Sequence, residues 1–291
     1  MTDQQISSLS CPNLQIIQYM ANPEESNLQK YPVNRLRNVG LDAVTTSHVM
    51  VMDVDFVPSM DLTDTIRKAL QLRHEHHPDG EDHQALVVPA FERLPPSPCE
   101  SDSDCASFLQ SNSSFIPKSF DALQTCILDK DCIVFQSDNN WEGHSTTRSD
   151  RWLQRKWYED EEQKTIFTTI PCFDTARYEP YLILRWCPSS HGDPKIPEAP
   201  YYDERFHGYG KNKIELVSHL RKKGYQFAIL PEGFIVHNPH PESSIKEAWN
   251  DRKNSDLHSS MDNLYAKFLE ELDKMYKDAH ESSVKLCKRE K

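Results

Sequence analysis

At 291 residues, with 37% hydrophobic and 10% aromatic side chains, the chain carries enough apolar material for a sizeable core and is no candidate for wholesale disorder. Forty-five acidic against 33 basic side chains leave a formal net charge of −12, which repels a nucleic-acid backbone or an anionic membrane surface unless a local basic patch intervenes. HLRKKGYQ (219–226) is the nearest approach to such a patch and reads as the cationic last turn of a helix stopped by Gly224, so no nucleic-acid partner is expected.

No run approaches the roughly 20 apolar residues that span a bilayer. The opening MTDQQISSLS has neither the basic start nor the apolar core of a secretory signal, so no direct membrane insertion by this chain is expected. The eight cysteines lack paired CxxC spacing, which argues against zinc and leaves disulfides open. Cys99 with Cys105 and Cys126 with Cys132 are the pairs to examine first.

Along the chain, NLQIIQYM (13–20) reads as a strand, and the spacing of Leu36, Val39, Ala43 and Val44 predicts a helix over 33–45. HVMVMDV follows as a continuous apolar run, the pattern of a strand covered on both faces in a parallel sheet. Asp53 and Asp55 then fall at its carboxyl end, where α/β sheets place ligands. A helix over 61–72 with Asp61 as N-cap and a strand over 84–91 come next. The Pro-, Ser- and Cys-rich stretch 92–119 reads as an irregular excursion. Strands are predicted at 165–171, 181–186, 225–231 and 233–237, with a helix over 211–222. Met261, Leu264, Phe268, Leu272 and Met275 outline an amphipathic C-terminal helix expected to pack on the sheet. The alternation of strands and helices predicts one α/β domain with a mixed sheet.

Two carboxylates one residue apart at the end of a rigid strand suit a single divalent cation, which neutralises the charge that grows on a diphosphate leaving group. Alone the pattern is weak, because acidic chains produce DxD by chance and a capping or solvated pair is the plainer reading. RHEHHPDGEDH (73–83), with His74, His76, His77 and His83, matches no ligand spacing and reads as a solvated loop.

Several blocks occur in one order: YPVNRLRNVGLDAVTTSHVMVMDVDFVP (31–58), ALVVPAFE (85–92), EGH followed by a Trp (142–152), EPYLILR (179–185), YDERFHGYGKNK (202–213) and FAILPEGFIVHNPHP (227–241). Together they resemble glycosyltransferase family 49, the group of LARGE-type and β-1,4-glucuronyltransferase domains, over residues 13–250. The resemblance implies an α/β fold of GT-A-like type, with a mixed, mostly parallel sheet flanked by helices. It also implies an inverting mechanism, a UDP-sugar donor, a glycan or glycoprotein acceptor, Mn²⁺ or Mg²⁺ as cofactor, and a Golgi lumenal address.

Carried over residue by residue, the resemblance gives Asp53, Asp55 and His237 as metal ligands, with His240 as a lesser substitute. Asn34, Arg37 and Asn38, at i, i+3 and i+4 on one helical face, are candidates for the donor, as are the two aspartates. An inverting transfer needs a base for the acceptor proton. Asp203 is the first choice and Glu204 the second, because Lys211, Asn212 and Lys213 stand where related enzymes place the base. Trp141, Trp152 and Trp157 are either a sugar-stacking platform or core packing.

Only 52 residues precede Asp53, where a complete domain of this type needs roughly 80–100, so an N-terminally shortened domain is expected over 1–250, followed by the helical segment 251–291. Two alternatives remain. One is a non-catalytic, glycan-binding GT-A-like protein. The other is a haloacid-dehalogenase-like phosphotransferase, against which GDPKIP (192–197) lacks the final acid that family requires.

Overall fold

The structure, a computed structural model, describes residues 15–20, 30–76, 83–94, 104, 116–154, 168–186, 198–240, 243–251, 255–277 and 283–288. The elements run α1 (Val33–Asp42), β1 (His48–Met50), β2 (Phe56–Pro58), α2 (Leu62–His76), β3 (Gln84–Val88), β4 (Ala90–Arg93), α3 (Phe120–Leu128), β5 (Cys132–Val134), α4 (Trp141–His144) and a 3-10 turn (Ser145–Thr147). They continue with α5 (Ser149–Leu153), β6 (Thr168–Thr169), β7 (Cys172–Phe173), β8 (Tyr181–Arg185), α6 (Ile214–Lys222), β9 (Gln226–Ile229), β10 (Ile235–His237), α7 (Ser244–Asn250), α8 (Ser255–Met275) and β11 (Lys285–Leu286).

The strands form a five-stranded sheet in the order β1-β8-β3-β9-β6, a four-stranded sheet in the order β2-β10-β4-β5, and a β11-β7 pair. The mixed sheet and its flanking helices are as the resemblance implied, but the balance of directions differs from a mostly parallel arrangement. In the large sheet only β3 and β9 run parallel, because β8 opposes both β1 and β3 and β6 opposes β9. The apolar run at 48–54 therefore forms a short, half-buried strand paired antiparallel to β8, not a central parallel strand covered on both faces.

Pro89 explains a second difference. A proline has no N–H for a ladder, and the segment expected as one strand breaks there into β3 in the large sheet and β4 in the smaller one. The Pro89 carbonyl still serves, accepting the Ile235 N–H at 3.0 Å and so stitching β10 beside β4. Residues 15–20 are not in a strand. Ile16 and Ile17 are 47% and 44% exposed, so no burial draws this segment into a sheet.

The period of two along a strand sorts the core. Leu182, Leu184, Ala85, Val87, Phe227 and Ile229 face α6, meeting Leu216, Val217 and Leu220. Tyr181, Ile183, Leu86, Val88 and Ala228 face the other way, toward Leu62 and Ala69 of α2 and toward Phe56 and Phe135. Each fully buried Leu, Ile or Phe contributes about 1.5–3 kcal/mol, so both faces are strongly specified, and with them the side on which Tyr181 projects.

The C-terminal helix lies against α6 instead of the sheet. Tyr265 Oη meets Ser218 Oγ at 2.7 Å and Tyr276 Oη meets His219 Nε2 at 2.9 Å, while Met261, Phe268 and Leu272 enclose Phe206. The sheet face is already covered by α6, so α8 forms a further layer. Beyond it, β11 pairs with β7, and Cys287 is disulfide-bonded to Cys172 across 115 residues. Cys126 and Cys132 form a second disulfide, as expected; Cys99 and Cys105 lie outside the described residues. The elements between 120 and 153 were not legible in the sequence pattern.

Candidate active site

Between β1 and β2 the chain leaves the large sheet and enters the smaller one. The crossing is a turn closed by the Phe56 N–H on the Asp53 carbonyl at 3.2 Å. Val54, at its tip, is fully solvent-exposed. The two aspartates flank this tip and meet different partners because each side of the turn belongs to a different sheet.

Asp53 looks toward the large sheet. Tyr181 Oη, from the first residue of β8, donates to Asp53 Oδ2 at 2.7 Å, and the Lys213 ammonium, just ahead of α6, bonds the same oxygen. Arg37 of α1 stands 3.7 Å from Oδ1. Burial pushes the Asp53 carboxyl up, but the Lys213 charge and the hydrogen bonds from Lys213 and Tyr181 outweigh it and hold the group below the usual carboxylate range. Burial and the adjacent Asp53 charge push the Tyr181 phenol far up, so it remains a donor.

Asp55 looks toward the smaller sheet. β10 pairs with β2 so that His237 lies opposite Phe56, and the Asn238 N–H extends the pairing to the Asp55 carbonyl at 2.8 Å. That register brings His237 Nε2 to 3.3 Å and His240 Nε2 to 2.9 Å from Asp55 Oδ2. Burial raises the Asp55 carboxyl, while the hydrogen bond and charge of His237 win and lower it. Its other oxygen, Oδ1, is buried without a partner. The three ligand atoms lie within 4.8 Å of one another. A carboxylate and two imidazoles fit a divalent transition metal, and a buried, unpaired carboxylate oxygen is what such an ion would satisfy.

Of the three residues expected to hold a metal, Asp55 and His237 thus come together, and His240 joins them. Asp53 instead turns to cations. The donor-binding expectations divide similarly. Asn34 is buried, donating to the Asp203 carbonyl at 3.0 Å and to Glu215 Oε1 at 3.2 Å. Asn38 is buried in a two-way clasp on the backbone of Tyr202, at 2.9 and 3.0 Å. Both amides therefore pin the 202–204 segment to α1, and only Arg37 of that trio reaches Asp53. Asp203 is gripped through both oxygens by Arg205, which also binds Glu271 of α8. Glu204 is exposed and accepts from Asn38 at 3.1 Å.

The loop carrying Lys213 is bent by positive φ at Gly208 (66°), Gly210 (90°) and Lys211 (59°). Trp249 covers Gly210 so closely that an added Cβ would lie 2.4 Å from the ring. Asn212 ties the loop to Gly208 at 2.9 Å and to Arg37 at 3.0 and 3.1 Å. Behind Asp53 lies a cavity of about 30 Å³, bordered by Arg37, Tyr181, Tyr202 and Lys213. It has room for about one water.

Sequence reasoning missed Lys213, Tyr181, Glu179, Asn140 and His144. Glu179 Oε1 accepts from Asn140 Nδ2 at 2.7 Å, and the Glu179 N–H is held by the Gly143 carbonyl at 2.9 Å. Burial raises the Glu179 carboxyl above its ordinary value and drives the His144 imidazole down to about 3. Trp141, next in sequence to Asn140, is 46% exposed. Trp152 is core, its indole N–H on the Leu230 carbonyl at 2.9 Å, and Trp157 lies outside the described residues. His83 sits on Glu198 at 3.2 Å, and His77 also lies outside the described residues.

The profile described as glycosyl-transferase for dystroglycan matches residues 2–277. The chain belongs to glycosyltransferase family 49. Family 49 proteins among its relatives include xylosyl- and glucuronyltransferase LARGE2 of Mus musculus, 32% identical over 214 residues (73% of this chain, 25% of the relative). LARGE1 of Danio rerio is 29% identical over 251 residues (85% and 27%), and LARGE1 of Homo sapiens 30% over 217 (74% and 23%). The chain thus spans about a quarter of the length of these curated relatives. Its mixed α/β sheets flanked by helices are consistent with the GT-A-like fold of family 49, and the phosphotransferase reading gives way to this match.

Proposed function

We propose that the chain is a metal-dependent, inverting glycosyltransferase unit that moves a sugar from a UDP-sugar to a glycan acceptor. The observation that carries this reading is the Asp55, His237 and His240 cluster with its unpaired buried oxygen, opening on the same turn as Asp53 in a family 49 chain. A divalent cation such as Mn²⁺, or Mg²⁺, held there would neutralise the diphosphate as it leaves. The family resemblance supplies the UDP donor.

The protein's own groups set the other wall. Arg37 and Lys213 bring two positive charges against the one carboxylate of Asp53. Two cationic side chains there suit a donor sugar bearing its own carboxylate. Of the two sugars in the relatives' names, glucuronate has that group and xylose does not, and glucuronate is the donor we assign. Trp141 offers an exposed ring for an acceptor sugar. Residues 1–250 would form the transferase unit, with 251–291 bracing the Lys213 loop through Asp262, which binds Lys211 at 2.9 Å. Two disulfides fit an oxidising compartment, in keeping with the Golgi lumen. No helix among the described residues is long and apolar enough to cross a membrane.

Calorimetry of UDP, UDP-glucuronate and UDP-xylose with and without Mn²⁺ tests the reading. Mn²⁺-dependent binding of UDP and tighter binding of UDP-glucuronate than of UDP-xylose are expected. UDP binding indifferent to Mn²⁺ would defeat the metal assignment, and a preference for UDP-xylose the donor assignment.

A further inference from the structure

Inverting transfer needs a carboxylate that reaches the acceptor hydroxyl from the side opposite the departing diphosphate, with a proton affinity above that of a solvated carboxylate. The carboxylates around the turn differ sharply in availability. Both oxygens of Asp203 are on Arg205. Asp53 is held by Lys213 and Tyr181, and Asp55 belongs to the imidazole cluster. Glu215 is completely buried among Asn34 and the Asp203 N–H. Glu92, also raised by burial, is in register with His237 and so lies on the metal side.

Glu179 is the exception. Asn140 fixes one oxygen at 2.7 Å and Gly143 fixes the backbone. Its other oxygen, Oε2, meets no hydrogen-bond donor among the described residues, yet is not among the side-chain atoms sealed from solvent. Two residues on, Tyr181 bonds Asp53, so Glu179 enters β8 on the Asp53 side of the turn, and Lys213, Asp53 and Arg37 are the charges that act on it. Exposed Trp141 lies in the sequence between Asn140 and Gly143, the two residues that hold Glu179.

We propose that Glu179 is the general base, and that the acceptor sugar sits over Trp141 with its reacting hydroxyl on Glu179 Oε2. The inference rests on the transferase reading above. In the step, the acceptor O–H proton passes to Glu179 Oε2 as the oxygen forms its bond to the anomeric carbon. The bond from that carbon to the diphosphate oxygen breaks, its electron pair leaves with UDP, and the proton on Glu179 later returns to solvent. The same group acts on water when no acceptor is present. Lost hydration raises the Glu179 carboxyl and so strengthens it as a base, and Lys213 and Arg37 favour its ionised form between turnovers.

The test uses the full chain with Mn²⁺ and follows UDP release from UDP-glucuronate and from UDP-xylose, with water as acceptor and with p-nitrophenyl β-xyloside or β-glucuronide added. Glu179→Gln and Glu179→Ala should lower turnover by about 10²–10⁴-fold, leave the Mn²⁺-dependent UDP Kd within about threefold, and retain a folded melting transition. The wild-type rate should climb with pH through a value above the ordinary carboxylate range, and the residual Gln rate should be flat there. Formate should partly restore Glu179→Ala. Turnover within threefold of wild type in either variant would overturn the proposal. So would a loss of UDP affinity matching the loss of rate, which would mark a merely structural role. A wild-type chain that turns over neither donor would defeat the transferase reading itself, and this one with it.

Discussion

The two halves of one five-residue turn behave as different materials. Asp53 is bound to an ammonium and a phenol, with a guanidinium beside it, all from elements of the large sheet and its helices; Asp55 is bound to two imidazoles delivered by the end of β10 in the smaller sheet. Ammonium and guanidinium groups carry no lone pair for a metal, whereas imidazole nitrogens do. A pair that looks symmetric in sequence is therefore split by topology, Asp55 toward imidazoles and Asp53 toward cationic groups. The seam between two sheets is what separates the roles, since each aspartate takes its partners from the sheet it faces.

The largest effect that would break this division is expected at Asp55. Asp55→Ala removes the only carboxylate of the cluster and should abolish Mn²⁺-dependent UDP binding in calorimetry, with a loss of at least about a hundredfold in line with losing a charged ligand. Unchanged binding would show that the imidazoles do not act with it.

Lys213→Met comes next. It strips Asp53 of its main counter-charge and should cost about 10–100-fold in turnover of UDP-glucuronate, the scale of one charge-assisted hydrogen bond. UDP-xylose turnover should fall less and Mn²⁺ affinity should hold. An equal loss on both donors would remove Lys213 from sugar recognition.

A third expectation concerns pH and stability. His144 is buried and lowered to about 3 from 6.5. Between those values the unfolded chain takes up a proton that the folded chain refuses, so stability is present above about pH 6.5 and is lost as pH falls toward 3. The lowered carboxyls of Asp53 and Asp55 act in the same direction below 3.8. Denaturant melts from pH 7 to 4 should show the His144 contribution as a difference, wild type losing about 3 kcal/mol more than His144→Gln over that range. Glu92, Glu179 and Glu215, raised by burial, act in the opposite direction above 4.5, so the difference between the two profiles carries the test, and a His144→Gln profile parallel to the wild type would contradict a neutral, buried His144.

The smallest expected effect is at Tyr181→Phe, which removes one hydrogen bond to Asp53 while keeping the ring tilted against Phe56, centroids 4.6 Å apart. A loss of about 1 kcal/mol in stability and a few-fold in rate would follow.

What the sequence disclosed, and what it hid, follows from the range of the interactions. The continuous apolar run of YLILR and the amphipathic spacing of 261–275 are local patterns, and they marked β8 and α8 correctly. The family blocks brought Asp53, Asp55 and His237 into view. Lys213 was read only as a departure from a turn pattern, because its meaning depends on meeting Asp53 160 residues away. Glu179 opens EPYLILR, which reads only as the approach to a strand, since folding alone sets Asn140 and Gly143 against it. Asn34 and Asn38 looked like a ligand face because helical spacing says which residues share a face and not whether that face meets solvent or the 202–204 segment. The reversal of direction at β8 was equally invisible, since an apolar strand reads alike in either direction.

The division of the turn is tested most directly by pulsed electron paramagnetic resonance of Mn²⁺ bound to the chain, alongside the Asp53→Asn variant. Coupling to two imidazole nitrogens is expected, lost in His237→Ala or His240→Ala down to one, with Asp53→Asn binding Mn²⁺ at wild-type affinity. Mn²⁺ that shows no nitrogen coupling, or that is lost on Asp53→Asn alone, would contradict the assignment of Asp55, His237 and His240 as the cation's holders.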